Sequence, residues 1–386
     1  MNSPCALNVP NVRHRSMRRA WCVLPLVMTL WIGPARVQAA DWPVFRGDAG
    51  LTGVAVGALP LPLKLLWRFE TGGDVRSTPV IGGGVVYVGS TDKKLYARDL
   101  ATGAKRWTFE AGDDIEAPAL LVGELVVVGA LDGVLYALDA ATGTNRWSVK
   151  TDDRIMGAAN RIDATDPPRI VFGSYDNILR CVSLSGESVW QYETENFING
   201  GPAVAGNRVL VAGCDAQLHL VAAGDGTLIG SVDAGSYVAA SPAARGNRAV
   251  VGNHDGRLQA VDLKTRQTVW TYGGGDDGAP FFSSPAVSES VVVVGGRDGR
   301  VHAVALADGK PRWTYKSGGD VDSSPVICDG KVVFGSRDGR LTIVSLKSGS
   351  ALWSYEIGAA IVGSPAVVNG MVVIGAEDGS IYAFSR

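Results

Sequence analysis

The side chains best placed to do chemistry in this chain of 386 residues are arginines beside Asp-Gly turns. Asn253-His254-Asp255-Gly256-Arg257, Gly296-Arg297-Asp298-Gly299-Arg300 and Ser336-Arg337-Asp338-Gly339-Arg340 put Arg257, Arg297, Arg300, Arg337 and Arg340 at matching points of three successive segments. Guanidinium groups pair well with carboxylates, so an arc of them is the pattern of a surface for an acidic partner. The competing reading is that Asp-Gly merely shapes tight turns and the arginines are solvated neighbours. A second polar set is acidic: Asp74, Asp113-Asp114, Asp152-Asp153, Glu195-Asn196, Asp276-Asp277, Asp320 and Asp322. Calcium takes six to eight such oxygens. These acids, however, are spread through the sequence with no contiguous loop of alternating carboxylates, and they read as solvated turn acids.

Other chemistries are poorly supplied. The four histidines, His14, His219, His254 and His302, are too few and too scattered for a His-rich metal site. No Ser-His-Asp order, metal motif or phosphate-cradling glycine loop is present, so no catalytic or metal-binding residue is assigned. Cys181, Cys214 and Cys328 read as small buried residues rather than as a disulfide.

The elements that position the arginines follow from a period. Tryptophan recurs at Trp67, Trp107, Trp147, Trp190, Trp270, Trp313 and Trp353, with Gly230 where an eighth is due, and the gaps are 40, 40, 43, 40, 40, 43 and 40. Such a period marks a solenoid or propeller, because one unit cannot bury its apolar face alone. Each unit holds four short runs of β-branched and apolar residues separated by Gly, Asp and Asn, the pattern of four antiparallel strands, with no helical periodicity. The expectation is an all-β chain, an eight-bladed β-propeller of four-stranded antiparallel blades. The array opens on a lone Trp67 strand and ends on three strands, so pairing the two ends closes the ring and removes its open edges.

A finer motif links the last two strands of a unit: Ala97-x-Asp99-x-x-Thr102-Gly103-x-x-x-Trp107, repeated at Ala137, Asp139, Thr142, Gly143 and Trp147. Asp and Thr can bond the turn backbone, Gly can take a left-handed conformation and the small Ala leaves room for an indole. The motif resembles the tryptophan-docking repeat of pyrroloquinoline-quinone (PQQ) type propellers over roughly Leu63 to Arg386. WD40 repeats show a Trp-Asp dipeptide, which is absent, and kelch repeats run nearer 50 residues.

Upstream, Arg13, Arg15, Arg18 and Arg19 precede an apolar run from Trp21 to Gly33 and the small-residue stretch Val37-Gln38-Ala39. This reads as a signal peptide over residues 1–39, with Met17 as an alternative start. The apolar run is too short to span a bilayer, which needs about 20 residues, and no cysteine follows it to carry a lipid. Residues 40–63 form an aromatic arm expected to dock on the propeller flank, and 64–386 form the propeller. The Arg46-Gly47-Asp48 tripeptide is read as part of the arm rather than as an adhesion signal. Removing a leader that holds five of the 36 basic residues and none of the 38 acidic ones leaves 31 against 38, a net charge of −7. That excludes the basic footprint of a nucleic-acid binder.

The PQQ-type resemblance implies two functions. Its catalytic members are longer quinoproteins that hold PQQ with calcium, often near an adjacent Cys-Cys pair, which is absent here. None of their cofactor-binding residues maps onto this sequence. Its non-catalytic branch, to which the BamB subunit of the outer-membrane β-barrel assembly machinery belongs, matches better in size. The expected protein is therefore a non-enzymatic interaction scaffold, periplasmic or secreted, monomeric, without a cofactor, and with a protein partner in the cell envelope. The alternative is a PQQ-dependent oxidoreductase or a degenerate relative of one.

Overall fold

The computed structural model describes residues 41–273 and 278–386. The expected leader and the Asp276-Asp277 pair lie outside the described residues. Glycine and Asp-Gly turns cut the chain into short strands, four to a unit. The first blade runs Val80–Gly82, Val85–Gly89, Lys94–Asp99 and Lys105–Glu110, antiparallel in that order. Six more repeat it across residues 120–150, 160–193, 203–233, 243–273, 286–316 and 326–356. The eighth takes Ala366–Val368, Met371–Ala376 and Ser380–Ser385, and its outer strand is Lys64–Glu70 from the other end of the chain, with Trp67 opposite Ala383. The ring is an eight-bladed propeller closed as the strand count required. Second and third strands are almost continuously buried because each blade is covered on both faces by its neighbours.

The tryptophans hold neighbouring blades together. In every blade the pairing of third and fourth strands skips one residue just before the tryptophan position, a β-bulge. Six of the seven indoles then reach the turn between strands three and four of the next blade. Trp67 donates Nε1–H to Leu100 O at 2.9 Å, Trp107 to Ala140 O at 2.9 Å, Trp147 to Leu184 O at 2.8 Å and Trp190 to Ala223 O at 3.1 Å. Trp270 and Trp313 repeat the bond to Leu306 O and Leu346 O at 2.8 Å. The turn glycine lies flat beneath the ring. A Cβ on Gly143 would stand 2.6 Å from Trp107, and φ there is +73°, so glycine is required twice over. Trp353 faces the gap where the chain ends and the ring closes, and it packs edge-on against Phe384 instead.

The missing eighth tryptophan is compensated on two sides. Gly230 lies opposite Leu220, where Trp107 lies opposite Ala97. The turn glycine of the next blade is Arg266, whose side chain runs into the vacated space and donates Nη1–H to Ile229 O at 2.8 Å.

The arm docks elsewhere than on the flank. The first strands of adjacent blades approach one another around the axis, and their inner edges present N–H groups with no further strand to accept them. The arm supplies the acceptors. Ile81, Leu121, Val204, Ala244, Val287 and Ile327 occupy the same position of six blades, and their N–H groups donate to the carbonyls of Trp42, Pro43, Ala49, Gly50, Thr52 and Gly53 at 2.7–2.9 Å. Val54–Ala55 adds a short parallel strand to the seventh blade. Trp42, Val44, Leu51 and Leu59 are buried. The arm thus crosses one end of the axial channel and seals it, with Phe45 as the channel floor. Arg46 is buried there, donating to Ser324 O and Pro325 O, and burial pulls its guanidinium down to about 9 despite the nearby Asp48. Asp48 accepts the Thr52 N–H. The tripeptide is structural.

Candidate site at the channel mouth

The face opposite the arm is built by one repeated backbone bond. In all eight blades, the second residue of the turn between strands two and three donates its N–H to a carbonyl in the incoming connection. The pairs are Thr91 to Asp74, Leu131 to Asp114, Tyr175 to Arg154 and Cys214 to Phe197, then His254 to Tyr237, Arg297 to Pro280, Arg337 to Asp320 and Glu377 to Ala360, all at 2.9–3.0 Å. Two residues further along each connection a third position lines the channel: Arg76, Glu116, Met156, Asn199, Ala239, Phe282, Asp322 and Val362. Below it runs a ring of hydroxyls. Ser364 N–H donates to Thr78, Ser324 N–H to Ser364, Ser284 N–H to Ser324, Ser241 N–H to Ser284 and Gly201 N–H to Ser241, all at 2.8–3.0 Å. The ring is interrupted at Pro118, Ala158 and Gly201, which carry no hydroxyl.

The backbone is eightfold but the side chains are not. From blade three to blade six the mouth is aromatic. Arg154 lies over Tyr175 at 4.2 Å, and Tyr175 stacks on Phe197 with centroids 5.2 Å apart. Tyr237 stacks on His254 at 4.2 Å, His254 meets Phe282 edge-on at 5.8 Å, and Arg297 lies over Phe282 at 3.7 Å. Phe197 and Tyr237 are 43% and 40% exposed. The remaining arc is charged. Arg76 faces Asp74 at 3.1 Å, Glu116 at 3.3 Å and Glu377 at 3.0 Å. Burial works against its charge, but the three carboxylates outweigh burial and raise it above its ordinary value. Burial and the adjacent Asp113 raise the Asp114 carboxyl.

The arginines expected to form one arc separate into two roles. Arg297 and Arg337 converge on Asp322, with Nε to carboxylate distances of 2.8 and 2.7 Å. Burial opposes ionisation of Asp322, yet the hydrogen bonds from both arginines dominate and hold its carboxyl below the usual range. Its side chain is 9% exposed, so Asp322 is a clamped rim residue rather than a solvated turn acid. Arg300 and Arg340 stand further out, beside Asp298 at 3.9 Å and Glu356 at 2.6 Å. Arg257 lies against Gly235. The aromatic arc and the Arg76 cluster were not singled out from sequence, although their signal was present: the rim position falls nine residues after Trp67, Trp107, Trp147, Trp190, Trp313 and Trp353.

Above the hydroxyl ring the mouth opens into a cavity of about 440 Å³ lined by Arg76 and Glu116 on one side and by Met156, Tyr175, Tyr237 and Phe282 on the other. Among the described residues no group of three or more His, Cys, Asp or Glu side chains is arranged to hold a metal ion, and no helix is long and apolar enough to cross a membrane. Cys181, Cys214 and Cys328 are free thiols, Cys214 alone lying at the mouth.

A closed ring of eight blades, six of whose junctions are made by a docked tryptophan, blind at one end, places the protein among the PQQ-type repeat propellers. The sequence profile for the outer membrane protein assembly factor BamB matches residues 63–173 and 175–386, and the chain belongs to that family. Solved structures agree on the fold. BamB from Moraxella catarrhalis superposes with a TM-score of 0.71 at 19% identity, over 84% of this chain and 98% of that one. Quinohemoprotein alcohol dehydrogenase from Comamonas testosteroni superposes at 0.76 and 16% identity, over 89% and 80%. A europium-containing methanol dehydrogenase does so at 0.73 and 14%, over 90% and 98%. A comparison with curated proteins finds no match. At these identities the superpositions show the fold alone.

Proposed function

We propose that this chain is a non-enzymatic scaffold of the cell envelope that holds a protein partner at the channel mouth. The observation that carries the reading is the exposed aromatic pair Phe197 and Tyr237, on neighbouring connections and each backed by a stacked ring. Large rings left in water and held rigid are the material of interface hot spots. The fold permits quinone chemistry, but the residues here do not suit it. A quinone tricarboxylate needs free cations, and a bound divalent ion needs free carboxylates. Arg76 already faces three acids, and Asp322 is taken by two arginines. Arg297 and Arg337 are read as shaping the rim through Asp322, not as the partner's main contact. The test is capture of envelope proteins by the secreted form and by a Phe197→Ser/Tyr237→Ser variant, beside a PQQ titration with calcium. Partner capture lost in the variant, with no saturable quinone binding and no dye reduction, is the expected result. Saturable quinone binding followed by dye-linked alcohol oxidation would replace this reading with the oxidoreductase one.

A further inference from the structure

The mouth has a polarity that selects its occupant, and this inference rests on the scaffold reading above. One cavity carries rings and a thioether on one wall and Glu116, Arg76 and their carboxylate neighbours on the other. Over the three repeated positions that shape the mouth, Asp74, Asp114, Glu116, Asp320, Asp322 and Glu377 stand against Arg76, Arg154, Arg297 and Arg337, a surplus of two negative charges. The four arginines are all engaged. Arg76, Arg297 and Arg337 face acids, while Arg154 and Arg297 cover the two ends of the aromatic arc. What remains open in the middle is Phe197 and Tyr237, aromatic faces of the kind that guanidinium and ammonium groups favour. An acidic segment would meet repulsion from the surplus, and only Arg154 of the four arginines does not already face a carboxylate. A basic one would meet both carboxylates and rings.

We infer that the mouth takes an extended, basic and apolar segment of a protein partner. A lysine or arginine of the segment reaches the Glu116 side of the cavity, and apolar neighbours lie on Phe197 and Tyr237. Alternating side chains of an extended strand point to opposite sides, which suits a cavity with one acidic and one aromatic wall.

The full-length secreted protein is titrated calorimetrically with three nine-residue peptides that alternate leucine with lysine, glutamate or serine. The lysine peptide should bind at least tenfold more tightly than the glutamate peptide, and more weakly as salt rises. Glu116→Gln and, separately, Phe197→Ser/Tyr237→Ser should each weaken it several-fold without moving the melting temperature much. If the glutamate or serine peptide binds as well as the lysine one and the aromatic variant still abolishes binding, the basic occupant is wrong while the mouth remains the partner site. If no peptide binding responds to either variant, both readings fall.

Discussion

The two ends of the channel obey different rules. At the sealed end the contacts recur: the same N–H of six blades meets an arm carbonyl, and six indoles meet the same turn carbonyl of the next blade. At the open end the backbone bond recurs but the rim side chains do not. The eight rim positions hold eight different residues, Arg76, Glu116, Met156, Asn199, Ala239, Phe282, Asp322 and Val362. Repetition marks where blades must fit one another, and variation marks where nothing inside the molecule dictates the side chain. Stability should therefore reside at the arm end and recognition at the mouth.

The hardest test of that division is removal of the arm alone. Deleting residues 41–62 keeps the Lys64–Glu70 strand, so the ring can still close, but it orphans six inner-edge N–H groups and strips the cover from the channel floor. An unmade bond at a buried donor costs about 1–3 kcal/mol, so we expect loss of a cooperative melting transition or aggregation. A monomer that melts like the parent would show that the seal is decorative. Deleting 41–70, which also removes the closing strand, should be worse.

Next comes the docking contact. Gly143→Ala drives a Cβ into the Trp107 ring at a left-handed φ, and we expect a loss approaching the about 3–5 kcal/mol of a buried Trp→Ala change. Gly84→Ala is the control. Its φ is +76°, but a Cβ there meets nothing within 4 Å, so only the backbone penalty of about 1–2 kcal/mol applies. Equal losses in urea titrations would mean that the indole contact contributes nothing. Gly230→Trp alone should also destabilise, and adding Arg266→Gly and Leu220→Ala should restore much of the loss.

Much of this was legible in the sequence for the reason just tested. A contact that must recur in every blade imprints a period, so Trp67 through Trp353 and the turn glycines announced the fold, the blade count and the closing strand. The register also held the meaning of the exceptions: Gly230, Leu220 and Arg266 are a coordinated exchange, visible when the repeats are aligned column by column. The arm and the mouth were harder to read. The arm's bonds run through its own carbonyls, which any residue supplies, so nothing in Asp41 to Leu63 spelled out a seal. The arginines were legible as neighbours, but their partner was not. Asp322 lies in a connection of one blade and collects Arg297 from the preceding blade and Arg337 from its own, a meeting that only the backbone bond between connection and turn brings about.

A smaller effect is expected at Asp322, where the mouth does contribute to stability. Asp322→Asn leaves two guanidiniums without their carboxylate. Breaking a fully buried pair costs about 3–5 kcal/mol, and because both arginines stay partly in water we expect about 2 kcal/mol. The carboxyl is held below its ordinary value in the folded chain, so the unfolded chain takes up the proton first. The stabilisation is complete above about pH 4 and is lost as pH falls through the lower folded value. The melting gap between parent and variant should be widest near neutral pH and should narrow below about pH 4. A gap independent of pH would assign the loss to packing rather than charge.

The smallest effect should come from the residues most important to the proposed function. Phe197 and Tyr237 are about two-fifths exposed and lie in connections, not strands, so folding recovers little of their apolar area from water. Exposed substitutions away from buried networks usually fall within about 0.5 kcal/mol each. Phe197→Ser/Tyr237→Ser should therefore change unfolding by no more than about 1 kcal/mol, with an unchanged urea slope, although it removes the two rings of the aromatic arc most exposed to solvent. Tyr175 and His254 lose a stacking partner worth about 0.5–1.5 kcal/mol at most when buried, less here. A loss as large as that of Gly143→Ala would mean that the aromatic arc is a structural brace, and the contrast between a repetitive end that folds and a variable end that binds would fail at its most informative point.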